Sequence, residues 1–317
     1  MKSIKIYALA LGLLAVFAGC QNDVVKPLEN DKEAPAPVRD VTYTKMSGSV
    51  LLTYTLPSDP DLLYVAASYT NKAGKKYEFK ASYFTNTLLV EGFGDTDTYS
   101  LDVYAVDRSE NYSEPVNIQV AADTPPVQAA YETLEVQPDF GGMTFSFDNA
   151  SKADLAVYVS TPNADNEMVN AETFYTGLAK ATFSVRGFLD VPRDFEICFE
   201  DKWGNRSPVK KENLTPIYEA ELDKKKFKEV ILPGDFPCTF YESKMEYIWD
   251  GRAAADGDGQ NGAHTGIEEH DGPTWFTFDL GVLAKLSRFN LKFVQDDKHF
   301  YNDVSPKIYE VWGCAEL

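Results

Sequence analysis

The feature that most constrains this chain is a two-residue alternation of apolar and polar side chains, held over short runs and punctuated by Gly, Pro, Asn and Asp. In Tyr99-Ser100-Leu101-Asp102-Val103-Tyr104-Ala105 every second residue can face a core. Successive side chains of a strand point to opposite faces, so such a run buries one face of a sheet; wound as a helix it would scatter the same residues round the axis. Helical spacing is scarce, and the chain reads as all-β. Strands are predicted at 50–56, 63–70, 87–91, 99–107 and 116–120, and again at 143–147, 155–160, 181–185 and 195–201. Two linkers separate these groups, Ala121-Ala122-Asp123-Thr124-Pro125-Pro126 and the stretch around Asn213-Leu214-Thr215-Pro216. The expected organisation is one sandwich over 38–122, a second over 127–214 and a third domain over 217–317.

The two expected sandwiches end alike. Asp107-Arg108-Ser109-Glu110-Asn111-Tyr112-Ser113-Glu114-Pro115 matches Asp201-Lys202-Trp203-Gly204-Asn205-Arg206-Ser207-Pro208 at Asp, Asn and Ser, with Pro closing each. This is hairpin chemistry: Asp and Asn cap the turn or accept positive φ, Ser bonds the backbone, and Pro ends pairing before an edge strand. Trp203 and Tyr112, at the tips, either touch a ligand or pack the turn. The run Leu89-Val90-Glu91-Gly92-Phe93 followed by Thr98-Tyr99 and the strand to Asp107 resembles strands E and F of a fibronectin type III or related immunoglobulin-like sandwich. The resemblance implies that Tyr99 is the corner tyrosine, its hydroxyl tying the preceding loop to the backbone.

The third segment carries Glu246-Tyr247-Ile248-Trp249-Asp250-Gly251-Arg252, a polar loop from Ala253 to Gly272, Trp275-Phe276-Thr277-Phe278-Asp279-Leu280-Gly281, strands expected at 287–294, and Lys307-Ile308-Tyr309-Glu310-Val311-Trp312-Gly313. Together these resemble the first two thirds of a discoidin (F5/8 type C), galactose-binding-like jelly roll. The likeness implies a tight turn at Asp279-Leu280-Gly281 and core bulk from Trp275 and Phe278. The family pattern runs on past W-G to a closing strand, whereas this sequence stops at Leu317, so an incomplete jelly roll is expected.

At the N-terminus Lys2 and Lys5 precede an apolar run from Ile6 to Ala18 that ends in Phe17-Ala18-Gly19-Cys20. The run falls short of the roughly 20 residues that span a bilayer and reads as a signal peptide over 1–19. Cys20 after Ala-Gly resembles a bacterial lipobox, which implies that its thiol and freed amine carry acyl chains; three chains make a firm anchor, at about 0.8 kcal/mol per buried methylene. Residues 20–37 are rich in Pro, Glu, Asp and Asn and read as a flexible stalk. The acidic residue soon after Cys20 resembles a surface-export signal, which favours the outer face of the outer membrane over the periplasmic one.

Acids outnumber bases 49 to 30, a formal charge of −19, and cleavage removes two further lysines. Such a chain repels nucleic acid and anionic headgroups alike, leaving neutral glycans compatible. Cys198, Cys238 and Cys314 show no zinc or disulfide spacing; they are buried thiols, or Cys238 and Cys314 pair. The chain has no G-x-S-x-G, H-E-x-x-H or P-loop motif, and only three histidines, so no catalytic residue is assigned and the chain is not expected to be an enzyme. His264 and His270 lie among Glu268, Glu269 and Asp271 and either hold a metal or are simply solvated.

Discoidin-like domains often hold a structural Ca²⁺ beside the DG turn, which maps here onto Asp250, Asp256 and Asp258; the alternative is a flexible acidic loop. No cofactor is required. Sugars are gripped by an aromatic face and planar polar side chains, which makes Trp249, Arg252, Asn261 and His264 the candidate ligand contacts, with Trp249 equally able to serve the core. Lipobox, two sandwiches and a discoidin-like segment resemble a three-domain outer-membrane lipoprotein family of glycan-utilisation loci. That resemblance implies non-catalytic glycan capture beside a starch-utilisation-type importer. The alternative is a scaffold that binds a protein partner of the importer without contacting glycan.

Overall fold

A computed structural model of the chain describes residues 30–239, 242–251, 263, 265, 273–292 and 306–316. The expected signal peptide, Cys20 and the start of the expected stalk lie outside them.

Seven strands build the first sandwich: β1 (Arg39–Met46), β2 (Ser49–Thr55), β3 (Leu62–Thr70), β4 (Lys76–Ser82), β5 (Thr87–Glu91), β6 (Thr98–Asp107) and β7 (Val116–Ala121). They form two antiparallel sheets, β1-β2-β5 and β4-β3-β6-β7. Alternation sets the core: Val65, Ala67 and Tyr69 of β3, and Tyr99, Leu101, Val103 and Ala105 of β6, all turn inward with Val50, Leu52 and Val90. Edge strand β1 is almost wholly exposed, which is why no apolar period marks it in the sequence.

The second sandwich repeats the plan. It uses β8 (Glu135–Asp139), β9 (Gly142–Asp148), β10 (Leu155–Pro162), β11 (Met168–Thr176), β12 (Lys180–Arg186), β13 (Arg193–Asp201) and β14 (Lys210–Leu214). The sheets are β8-β9-β12 and β11-β10-β13-β14, around buried Phe145, Phe147, Val157, Phe195, Ile197 and Phe199. The fold is thus the β-sandwich that the alternation implied. One helix, α1 (Pro126–Glu132), has no counterpart among the sequence-based expectations. Pro126 starts it with φ preset, and Val127 and Ala130 are its buried face; seven residues are too few to show helical periodicity.

Two compact units emerge, the first comprising both sandwiches except residues 138–142 and 186–191, which group with 215–317 in the second. Among the described residues of 217–317 the strands are two short antiparallel partners, β15 (Lys228–Val230) and β16 (Thr277–Asp279). The strand expected over 287–294 is not formed in its described part, 287–292, none is formed over 307–313, and the incomplete jelly roll is not seen among the described residues. The turn expected at Asp279-Leu280-Gly281 is present: Asp279 accepts from Gly281 N–H at 2.8 Å, and Gly281 has φ of +68°. A side chain at Gly281 would come within 2.5 Å of the Lys226 carbonyl, so both the turn and the close approach require glycine. Phe278 packs in the small core with Cys238, Met245 and Trp249, while Trp275, expected inside, is 51% exposed.

Candidate functional site

Among the described residues, the paired hairpins of the first unit and a cleft in the second bring chemistry together. The hairpins match bond for bond. Asp107 Oδ1 accepts from the N–H groups of Ser109 (2.9 Å) and Asn111 (2.8 Å), and its Oδ2 from the Asn111 carboxamide (2.8 Å). Asp201 does the same with Trp203, Asn205 and the Asn205 carboxamide, each at 2.9 Å. Ser113 and Ser207 each accept from the strand N–H eight residues earlier at 3.0 Å. Both hairpins also place one residue at positive φ, Glu110 at 62° and Gly204 at 82°.

What each hairpin holds is different. Asn111 donates to the Asp31 carboxylate at 3.0 Å and the Glu33 carbonyl at 3.3 Å, and the Ser109 hydroxyl accepts from Asp31 N–H at 3.0 Å. The last residues of the expected stalk are therefore fixed to the sandwich, with Pro35 buried. In the second hairpin Trp203 packs on the first sandwich, 5.5 Å from Tyr77 and 5.6 Å from Phe79 with rings steeply crossed, and Asn205 donates to the Gly92 carbonyl at 3.3 Å. Gly92 and Gly94 make room: a Cβ on Gly92 would sit 3.1 Å from the Trp203 ring, and one on Gly94 would sit 2.5 Å from Asn205. Trp203 is thus turn-and-joint packing, while Tyr112 keeps 42% exposure.

Tyr99 is a corner tyrosine with an altered partner. Its hydroxyl reaches the preceding loop as expected, but donates to the Asp95 carboxylate at 3.0 Å and not to backbone. Burial pushes the Asp95 carboxyl up, and the bonds from Lys72, Asp97 N–H and Tyr99 outweigh it, leaving Asp95 below its ordinary value.

The cleft, of about 630 Å³, is lined by Glu221, Asp223, Lys224, Glu246, Trp249 and Asp250 among others. Asp223 caps the short 3₁₀ turn Lys224–Lys226 by accepting from Lys225 N–H at 3.1 Å, and Lys224 pairs with Glu221 at 2.6 Å, which lowers the Glu221 carboxyl. Trp249 follows a second 3₁₀ turn, Met245–Ile248, and is 9% exposed, its ring 5.7 Å from Phe227 and 5.2 Å from Phe278. Of the two roles open to it, Trp249 takes chiefly the core while also lining the cleft. Asp250 lines the same cleft. Arg252, Asn261, His264, His270, Asp256 and Asp258 lie outside the described residues, so the expected Ca²⁺ set is represented by Asp250 alone.

Among the described residues three carboxylates do meet, those of Asp31, Asp61 and Asp107, with oxygens within 4.8 Å of one another. Asp107 is 1% exposed and already accepts three N–H groups. Asp61 is raised above its usual range by its hydrogen bond with Asp59, then by burial and the neighbouring acids. Sequence spacing carries no hint of this trio, since its members come from the stalk, a loop and the hairpin. The three described cysteines are free, Cys238 buried, Cys198 half-buried and Cys314 exposed, and burial pushes the Cys238 thiol up.

Three family models match in succession: a domain of unknown function (DUF4959) over residues 35–122, another (DUF5126) over 123–225 and a third (DUF5000) over 249–317. No curated protein matches the chain. Among solved structures, a SusE-like protein is similar at 32% identity, over 51% of this chain and 57% of that one, with a TM-score of 0.32. A two-domain fibronectin type III segment of chicken tenascin is similar at 15% identity, over 56% of this chain and 99% of that one, with a TM-score of 0.27. The chain thus spans little over half the length of the SusE-like protein.

Proposed function

We propose that this chain is a non-catalytic, lipid-anchored accessory of a starch-utilisation-type import system, standing on the outer membrane at the cell surface and holding glycan there. The observation that carries the reading is the cleft at Trp249 and Asp250. It joins aromatic side chains to carboxylates and ammonium groups, and that pairing suits a sugar's apolar and hydroxyl-bearing faces. The net charge of −19 selects neutral glycans over acidic ones. The lipobox resemblance at Cys20 supplies the anchor, and the three-domain resemblance supplies the setting beside importer proteins. On this reading the chain is a counterpart of the SusE-like relative.

Retention of the soluble Cys20→Ala chain on immobilised neutral polysaccharides tests the binding. We expect retention that falls several-fold when Lys224→Ala and Asp250→Ala are combined. Retention untouched by that pair would move the contact out of the cleft, and failure to retain any neutral polysaccharide would remove the glycan reading altogether. Mass spectrometry of the mature N-terminal peptide tests the anchor, with an acylated Cys20 expected.

A further inference from the structure

The outward face of sheet β4-β3-β6-β7 has a composition unlike an ordinary solvated face. At its centre β3 turns out the small residues Ala66 and Ser68, 1% and 5% exposed, beneath longer neighbours. The ladder sets Ala66 between Lys80 and Tyr104, and Ser68 between Glu78 and Asp102, so a low floor runs between two raised rows. At one end three tyrosines converge: Tyr104 and Tyr112 meet edge to face at 5.6 Å, and the hydroxyls of Tyr64 and Tyr112 lie 3.3 Å apart. At the other, the Asn117 carboxamide donates to Ser100 Oγ at 2.7 Å and to Asp102 at 3.0 Å. Scattered surface aromatics are ordinary, but clustered ones mark contact surfaces.

Charge narrows the occupant. Lys80 lies 3.1 Å from Glu78 and 3.2 Å from the Tyr64 hydroxyl, and Lys76 on the same outward row offsets the charge of Asp102, so this face is balanced in a strongly acidic chain. The hydrogen bond with Tyr64, then burial, pushes the Tyr112 phenol up to about 12, so its hydroxyl stays neutral. Tyrosine offers rigid amphipathic area at little entropic loss, next to carboxylate and carboxamide groups that can bond vicinal hydroxyls.

We propose that this face is a second glycan-contact surface, taking a neutral oligosaccharide with Tyr104 and Tyr112 as its stacking platform and Glu78, Asp102 and Asn117 as hydroxyl partners. It rests on the glycan-binding reading and adds to it a surface on the first sandwich. Affinity electrophoresis and titration calorimetry of the Cys20→Ala chain, with maltoheptaose, cellohexaose, mannohexaose and xylohexaose as probes and polygalacturonate as the acidic control, test it. The Tyr104→Ala/Tyr112→Ala variant should weaken the bound probe by about tenfold, the usual scale for losing aromatic anchors, and the Tyr→Phe pair by less. Polygalacturonate should not bind. The Phe pair keeps the packing, so a graded loss with an unchanged melting temperature separates contact from misfolding. Binding unchanged in the Ala pair but lost in Lys224→Ala/Asp250→Ala overturns this proposal and keeps the cleft; no binding of any probe overturns both. Loss of association with a protein partner, with glycan binding intact, assigns the face to protein and also overturns the proposal.

Discussion

The hairpins Asp107–Ser113 and Asp201–Ser207 share every backbone-organising bond, yet one fixes a stretch of stalk and the other fixes a whole sandwich. The difference traces to one turn position, two residues after the Asp. Ser109 there offers a hydroxyl that accepts a single N–H, whereas Trp203 offers a ring that enters the neighbouring aromatic core. Capping chemistry therefore sets the hairpin's shape, and the side chain it carries sets its partner. Within the first unit the second hairpin carries the apolar anchor between the sandwiches, Trp203 packed on Tyr77 and Phe79.

The largest effect expected from breaking this comparison is at Trp203. Trp203→Ala should cost about 3 kcal/mol, the lower part of the range for removing a packed Trp, and should uncouple the melting of the two sandwiches in calorimetry. Ser109→Ala, at the equivalent site, should cost about 1 kcal/mol or less, as one exposed hydrogen bond does. Equal costs would show that the turn residue does not decide the joint.

A smaller pair has opposite signs. Glu110 and Gly204 occupy the same positive-φ position, so Glu110→Gly should stabilise the first hairpin and Gly204→Ala should destabilise the second, each by about 1 kcal/mol in chemical denaturation. A loss in both would mean that Glu110 makes contacts worth more than its backbone strain.

The smallest effect is a pH dependence. Tyr99 and Asp95 form a corner in the first sandwich, and at the equivalent strand position of the second Arg193 instead donates to the Pro162 carbonyl at 2.8 Å. Asp95 is depressed in the folded chain, so its contribution is present above the unfolded carboxylate pKa and fades as pH falls through the lower folded value. Its side chain is 35% exposed, so solvent and salt screen the gain. In the Trp203→Ala background, where the two sandwiches melt separately, Asp95→Asn should flatten the acid limb of the melting curve for the first sandwich and leave the second unchanged; an unaltered acid limb would exclude Asp95 as a source of the pH dependence.

Much of the fold was legible because alternation exposes a strand with one wet face, as in β6, and because Asp, Asn and Ser at fixed offsets specify a hairpin. The exposed edge strands β1, β11 and β14 were not legible, since a strand without a buried face shows no apolar period. Strand β4 lies outside the predicted strands although it does alternate, with Tyr77, Phe79 and Ala81 inward, so its signal is present in the sequence. Trp203 reads as a loop tip because its partner Tyr77 lies 126 residues away, a distance that local pattern cannot bridge. For the candidate site, Asp250 of the DG turn lines a cleft, while Trp249 packs chiefly in the core. The Tyr64, Tyr104 and Tyr112 cluster was hidden because it forms across strands.

On the proposed function, the chain holds glycan without cutting it. The most direct test incubates the soluble Cys20→Ala chain with a panel of neutral polysaccharides and follows both retention and new reducing ends in the same samples. The expected result is saturable retention of at least one polysaccharide with no reducing ends above the protein-free control. Reducing ends that grow with time, or no retention across the whole panel, would contradict it.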